Sequence, residues 1–295
     1  MSKEQRDAVD QMIRQAPRGQ DLAEQRAAYE QVLRATPLAD DVETTPLTLG
    51  GISVVNVDLT GVKSDDVILY LHGGAYAMGS AASSVGLASE VGRRAGARVV
   101  TVDYRLAPEN PYPAALEDAV AAYRGLLDSG VPASRIAVTG ESAGGGLALA
   151  TLMRLRSEGL PQPSSAVLIS PWTDLTLSGA SMTSKRAADA VFGPEDLQGW
   201  AAGYTGARDA ADPLISPVFA DLTGLPPLLI QVGSSEILLD DATRLAARAA
   251  TADVAVTLEV TPGVPHVFHL LSAMLEEADA ALTRAGGFLR SHLDA

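Results

Sequence analysis

Short apolar runs of strand length recur along the chain, and segments with helical spacing separate them. Val67-Ile68-Leu69-Tyr70-Leu71 is continuous and apolar, the pattern of a strand buried on both faces. Ile52–Leu59 instead alternates apolar and polar positions, like a strand with one face in water. Further runs at Arg98–Asp103, Ile136–Thr139, Ala166–Ile169, Pro227–Val232 and Val254–Val260 read as strands. Helices are expected between them, at about 83–95, 113–127, 143–157, 238–250 and 270–292. Strands that alternate with helices in this way build a mostly parallel sheet covered by helices on both faces. Two regions break the rhythm. Residues 4–35 read as two amphipathic helices interrupted at Ala16-Pro17-Arg18-Gly19, and about 175–222 holds helical pieces and large aromatics but no clear strand. No repeat, low-complexity tract or linker divides the chain. A single α/β domain with an N-terminal helical segment and an internal helical insert is expected.

Composition narrows the function. The chain has 295 residues, 47% hydrophobic, which is ample for a large core. It contains no cysteine, so disulfides, thiolate metal sites and cysteine nucleophiles are excluded. The net charge of −14 argues against nucleic acid and anionic membranes as partners. The charged start, with no apolar leader and no membrane-length run, gives a cytoplasmic protein as the default expectation.

The chemistry centres on Arg135–Gly146, where a strand-like run meets a helix-like one at Gly140-Glu141-Ser142-Ala143-Gly144. A G-x-S-x-G alone is a weak motif, but between a strand and a helix it marks a sharp turn that projects the serine hydroxyl. Ser142 is therefore the candidate nucleophile. Ligands of such sheets bind beyond the carboxyl ends of the strands, so its partners should follow strands too. His266 follows Val254–Val260 and a Pro/Gly-rich turn, and is preferred as general base over His269, three residues on; His292 reads as a solvated cap. The acid should follow Pro227–Val232. Glu236, in the loop, is the choice, with Asp240 and Asp241 as alternatives that also suit the first turn of a helix. His72, itself read as structural, precedes Gly73 and Gly74 after the buried strand. Backbone N–H groups of Gly74 and Ala75, with Ala143 and, as a further candidate, Gly73, are the expected oxyanion hole. Tyr76, Trp172, Phe192, Trp200 and Phe268 are candidates for the pocket wall, with core packing as the alternative for most of them.

Taken together these residues resemble the bacterial hormone-sensitive-lipase-like (family IV) esterases of the α/β-hydrolase superfamily. His72-Gly73-Gly74-Ala75 is similar to their H-G-G-G, Asp103–Glu109 to D-Y-R-L-A-P-E, Gly140–Gly145 to G-D-S-A-G-G, and Pro265-His266-Val267-Phe268 to P-H-x-F. The resemblance implies the α/β-hydrolase fold with a helical cap from residues 1–45 and an insert within about 175–222, on a catalytic domain of residues 46–295. It also implies a serine esterase acting on short or medium acyl groups of small-molecule esters, with no cofactor and no metal. Dimers are common in that family, and the edge of Val254–Val260 offers a homodimer surface. Three departures stand out. Ala75 replaces the last glycine, a methyl tolerable at negative φ that narrows the alcohol side; Glu141 replaces aspartate; and Glu236 stands where the family's acid is usually aspartate. The segment Glu236–Asp241 also resembles relatives that hydrolyse monoterpene lactones, so a lactonase or an amidase with the same triad is an alternative. A ligand-binding protein that has lost catalysis is a further one, although such a protein would be expected to lack the histidine.

Overall fold

The computed structural model describes residues 3–17, 19–34 and 38–293. After helices α1 (Lys3–Gln15) and α2 (Leu22–Arg34) come strands β1 (Val42–Leu49), β2 (Ile52–Leu59) and β3 (Val67–Leu71). Helices α3 (Val85–Ala95), α4 (Ala114–Asp128) and α5 (Ala143–Ser157) then alternate with β4 (Arg98–Val102), β5 (Ile136–Glu141) and β6 (Ser165–Ile169). The insert contributes α6 (Ser181–Ser184) and α7 (Pro194–Thr205), and the chain closes with β7 (Leu228–Gly233), α8 (Leu239–Thr251), β8 (Val256–Thr261) and α9 (Glu276–Leu293). The eight strands form one sheet in the order β1-β2-β4-β3-β5-β6-β7-β8, antiparallel through β1, β2 and β4 and parallel from β4 to β8. Among the described residues no helix is long and apolar enough to cross a membrane.

The continuous apolar runs are explained by their two-residue period. Val67, Leu69 and Leu71 face the core under α4, α5 and α8, while Ile68 and Tyr70 face the one under α3 and α9. Val138 and Ala137, Leu168 and Val167, and Ile230 and Leu229 divide in the same manner. A strand covered on both faces has no polar side to display, so its sequence shows no alternation.

One strand has no counterpart in the sequence reading. β1 is almost wholly exposed, polar and interrupted by Pro46, and only its eight-residue antiparallel pairing with β2 makes it a strand. Helix α9 begins at Glu276, later than its apolar pattern suggests, because Phe268–Leu271 form a separate 3-10 turn.

The N-terminal helices lie on the rest of the molecule by different means. Val9 of α1 is buried in a small cluster with Val264, Phe268, Leu275, Ala278 and Ala281. Arg14 reaches the carbonyls of Ala187 and Ala188, which ties α1 to the insert. Helix α2 contributes Leu22 and Tyr29 to the margin of the large core. The Trp200 indole N–H donates to Gln25 Oε1 at 3.1 Å, joining α2 to α7.

Candidate active site

Strand β5 delivers Ser142 into a backbone conformation of φ 55° and ψ −122°, outside the regions open to ordinary residues. The turn is fixed from both sides. Ser142 N–H donates to Ile169 O at 2.8 Å, and its carbonyl accepts from Trp172 N–H at 2.9 Å. Helix α5 can start at once because Gly144 has no side chain: a Cβ there would lie 2.0 Å from Leu71 O. The serine hydroxyl is thereby held at the positive end of α5.

His266 Nε2 lies 2.9 Å from Ser142 Oγ, and its Nδ1 lies 2.7 Å from Glu236 Oε2. The carboxylate fixes the tautomer: Nδ1 carries the proton donated to Glu236, and Nε2 is left as the acceptor facing the serine. Glu236 is fully buried, and its Oε1 accepts from Ser170 Oγ at 2.7 Å and from Gly233 N–H at 2.5 Å. Burial pushes its carboxyl above the ordinary value, while His266, Ser170 and Gly233 favour the charged form. Ser170, itself at φ 44°, also accepts from Val267 N–H at 3.2 Å, so one hydroxyl bridges the acid to the loop of the base. Sequence reasoning missed Ser170, although it stands directly after β6, at a strand end like the other candidate residues.

The other candidate acids and bases point elsewhere. Asp240 caps Ser181 N–H, and Asp241 accepts from Thr173 and Asp174 N–H at 2.7 and 2.8 Å. His269 is buried against Gln231 Oε1 at 3.0 Å, and burial holds it down to about 3, as a neutral ring. His292 bonds Phe288 O at the end of α9. His72 is likewise held neutral, down to about 4 by burial; it donates to Gly73 O at 2.7 Å and stacks on Tyr104 at 4.1 Å.

The candidate oxyanion loop departs from expectation at two residues. Gly73 N–H donates to Glu141 Oε1 at 2.7 Å, which removes it from the donors open to a substrate. The longer carboxylate before Ser142 thus reaches over to brace the loop. Ala75 has φ 55°, not the negative value its methyl would prefer, and Tyr76 follows at 60°. A side chain at Gly74, at φ 101°, would be strained and would force the loop to shift, since its Cβ would sit 2.3 Å from Met78 O. Among the described residues, the N–H groups of Gly74, Ala75 and Ala143 have no protein acceptor.

The expected aromatic wall divides. Trp172 and Phe268 are fully buried and Tyr76 nearly so, which corrects their assignment to the pocket. Tyr76 stacks on Tyr204 at 3.7 Å, the Trp172 indole N–H donates to Asp174 O, and Phe268 fills the cluster beneath α1. Size and strand-end position suit a core residue as well as a pocket residue, so sequence could not separate the two. Phe192 lies edge-on to His266 at 4.7 Å and to Trp200 at 6.2 Å. A cavity of about 380 Å³ between α2 and α7 is lined in part by Gln25, Ala77, Pro108 and Trp200, and a larger one of about 590 Å³ lies against β1 and β2. Neither is lined by Ser142, His266 or Glu236. No cluster of potential metal ligands occurs among the described residues.

Comparison with known proteins identifies relatives of this chain. A family model for the alpha/beta hydrolase fold matches residues 68–270. An acetyl-hydrolase of Streptomyces hygroscopicus is 50% identical over 224 residues, covering 76% of this chain and 75% of its own. An esterase of Acinetobacter venetianus is 37% identical over 251 residues, covering 85% and 82%. The crystal structure of an esterase from the bacterial hormone-sensitive lipase family superposes with a TM-score of 0.96 at 43% identity, over 99% of both chains.

Proposed function

The chain belongs to the hormone-sensitive-lipase-like (family IV) esterases of the α/β-hydrolase fold and is a carboxylic ester hydrolase; from that premise we propose that Ser142, His266 and Glu236 hydrolyse small esters of short acyl chains. The observation that carries this reading is the continuous relay from Ser142 Oγ through His266 to Glu236, with hydrogen bonds of 2.9 and 2.7 Å.

Ser142 Oγ attacks the ester carbonyl carbon as His266 Nε2 takes its proton, and the carbonyl π pair moves onto oxygen. That oxyanion is met by the N–H groups of Gly74, Ala75 and Ala143, preorganised donors that need no rearrangement as charge develops. Collapse expels the alcohol, protonated by His266, and leaves Ser142 acylated. Water, deprotonated by His266, attacks the acyl-enzyme, and its collapse releases the acid and restores the serine. Glu236 remains ionised and steadies the imidazolium in both halves.

Helices α1 and α2 with the insert act as the cap. Phe192 at the rim of His266 and Trp200 beyond it form the apolar wall, and a wall so near the base suits a small acyl group. The named activity of the Streptomyces relative, removal of acetyl groups, supports the same size. Hydrolysis of p-nitrophenyl acetate, butyrate, octanoate and palmitate by wild type and Ser142→Ala tests this. Short-chain preference that disappears in the variant is expected; a residual activity in the variant, or a preference for palmitate, would defeat the reading.

A further inference from the structure

The oxyanion loop is strained and needs a brace on each side. Ala75 and Tyr76 are consecutive non-glycine residues at φ 55° and 60°, an arrangement that persists only where the surroundings enforce it. Its first residues are held within the catalytic domain: Gly73 N–H by Glu141, Gly73 O by His72, and His72 O by the Tyr104 hydroxyl at 2.7 Å. Its far end is held from α2. Arg26 Nε donates to Ala77 O at 2.7 Å, and its Nη2 donates to Ala107 O at 3.0 Å. Ala107 N–H in turn donates to Tyr76 O at 2.8 Å, so one guanidinium grips the loop directly and through its neighbour. Its outer edge forks onto Glu109 with two bonds of 2.7 Å. One turn further along α2, the edge of the Tyr29 ring closes over Gly74, and Glu30 accepts from Ser80 Oγ at 3.1 Å.

We propose that Arg26 is a positioning residue of the oxyanion hole, holding Gly74–Ala77 so that the Gly74 and Ala75 N–H groups aim at the substrate oxygen. The inference rests on the triad reading above and extends it: a helix of the cap acts on the transition state without touching substrate. The planar guanidinium, with donors on two edges, spans Ala77 O, Ala107 O and Glu109 at once, a geometry an ammonium group does not reproduce.

The test compares full-length Arg26→Met, Arg26→Lys, Glu109→Ala and Ser142→Ala with wild type. The readouts are kcat and KM on p-nitrophenyl butyrate, inhibition by an alkyl trifluoromethyl ketone, and Tm. The ketone adds to a serine and places an alkoxide in the oxyanion hole, so its Ki reads donor geometry. Arg26→Met is expected to lower kcat and raise Ki together by about 10-fold or more, with KM changed less than about threefold. Arg26→Lys, which keeps a cation opposite Glu109, should fold as wild type and still show a parallel change of smaller size. Glu109→Ala leaves both carbonyl bonds in place and should alter kcat by less than about threefold. Unchanged kcat and Ki in both Arg26 variants, with or without a lower Tm, would overturn the proposal. So would a Glu109→Ala effect equal to that of Arg26→Met, which would make the ion pair the active element. An active Ser142→Ala enzyme would instead refute the triad reading.

Discussion

The two halves of the proposed site are built on different principles. The proton-transfer half consists of side chains on three strand-end loops, joined by direct bonds from Ser142 to His266 to Glu236. The oxyanion half consists of backbone N–H groups, whose identity as alanine or glycine says little about what they do. Its precision comes from elsewhere: from Glu141 beneath the loop and Arg26 above it. Where function resides in side chains, the machinery is local and chemically conspicuous. Where it resides in the main chain, it is distributed over parts of the molecule distant in sequence from the loop they hold.

This contrast sets the order of the expected effects. Ser142→Ala should lower kcat by about 10⁴-fold or more, because the covalent route is lost, and burst kinetics on p-nitrophenyl butyrate will read it directly. Glu236→Gln should cost about 10³–10⁴-fold, whereas Asp240→Asn, whose carboxylate caps Ser181, should stay within about threefold. The reverse result would move the acid and erase the local character of the proton-transfer half. Gly74→Ala should cost about 10²-fold in kcat with a smaller change in KM, since the new methyl meets Met78 O and displaces a donor. A loss confined to KM would show that this glycine shapes the pocket, not the oxyanion hole.

The smallest effect concerns pH. Burial pushes the Glu141 carboxyl from 4.5 up to about 7, against the hydrogen bond from Gly73 N–H. The folded state therefore holds that proton more tightly than the unfolded chain. Its contribution to stability is greatest below about pH 4.5 and is lost as pH rises toward about 7. Glu141→Gln keeps an oxygen facing Gly73 but cannot ionise. Its Tm should fall less than that of wild type between those pH values, by a few degrees at about pH 7. Equal slopes in the two proteins would show that Glu141 does not titrate in this range.

The fold was legible where burial leaves a periodic or continuous apolar signal, as in β3, β5, β6 and β7, all fully buried. It was illegible in β1, whose polar residues become a strand only through pairing with β2. The hydrogen-bonded set Ser142, His266 and Glu236 could be proposed because each member follows a strand and their chain order is fixed by the parallel topology. Ser170 bore the same positional signal, but a serine is too common there to be singled out. The bond that takes up the Gly73 N–H and the positive φ of Ala75 could not be read, because a hydrogen-bond partner 68 residues away, and a backbone angle imposed by packing, leave no trace in local sequence.

What the sequence determined by itself is the set of strands with apolar runs, the strand-to-helix turn at Ser142, and the candidate groups for proton transfer, Ser142, His266 and Glu236. These follow from short-range sterics, periodicity and side-chain chemistry, which each residue carries with it. The tertiary structure decided which N–H groups stay open to substrate, which aromatics are core, and which residue of α2 grips the oxyanion loop. Those depend on where distant segments come to rest, and a hydrogen bond exists only once both of its partners are in place.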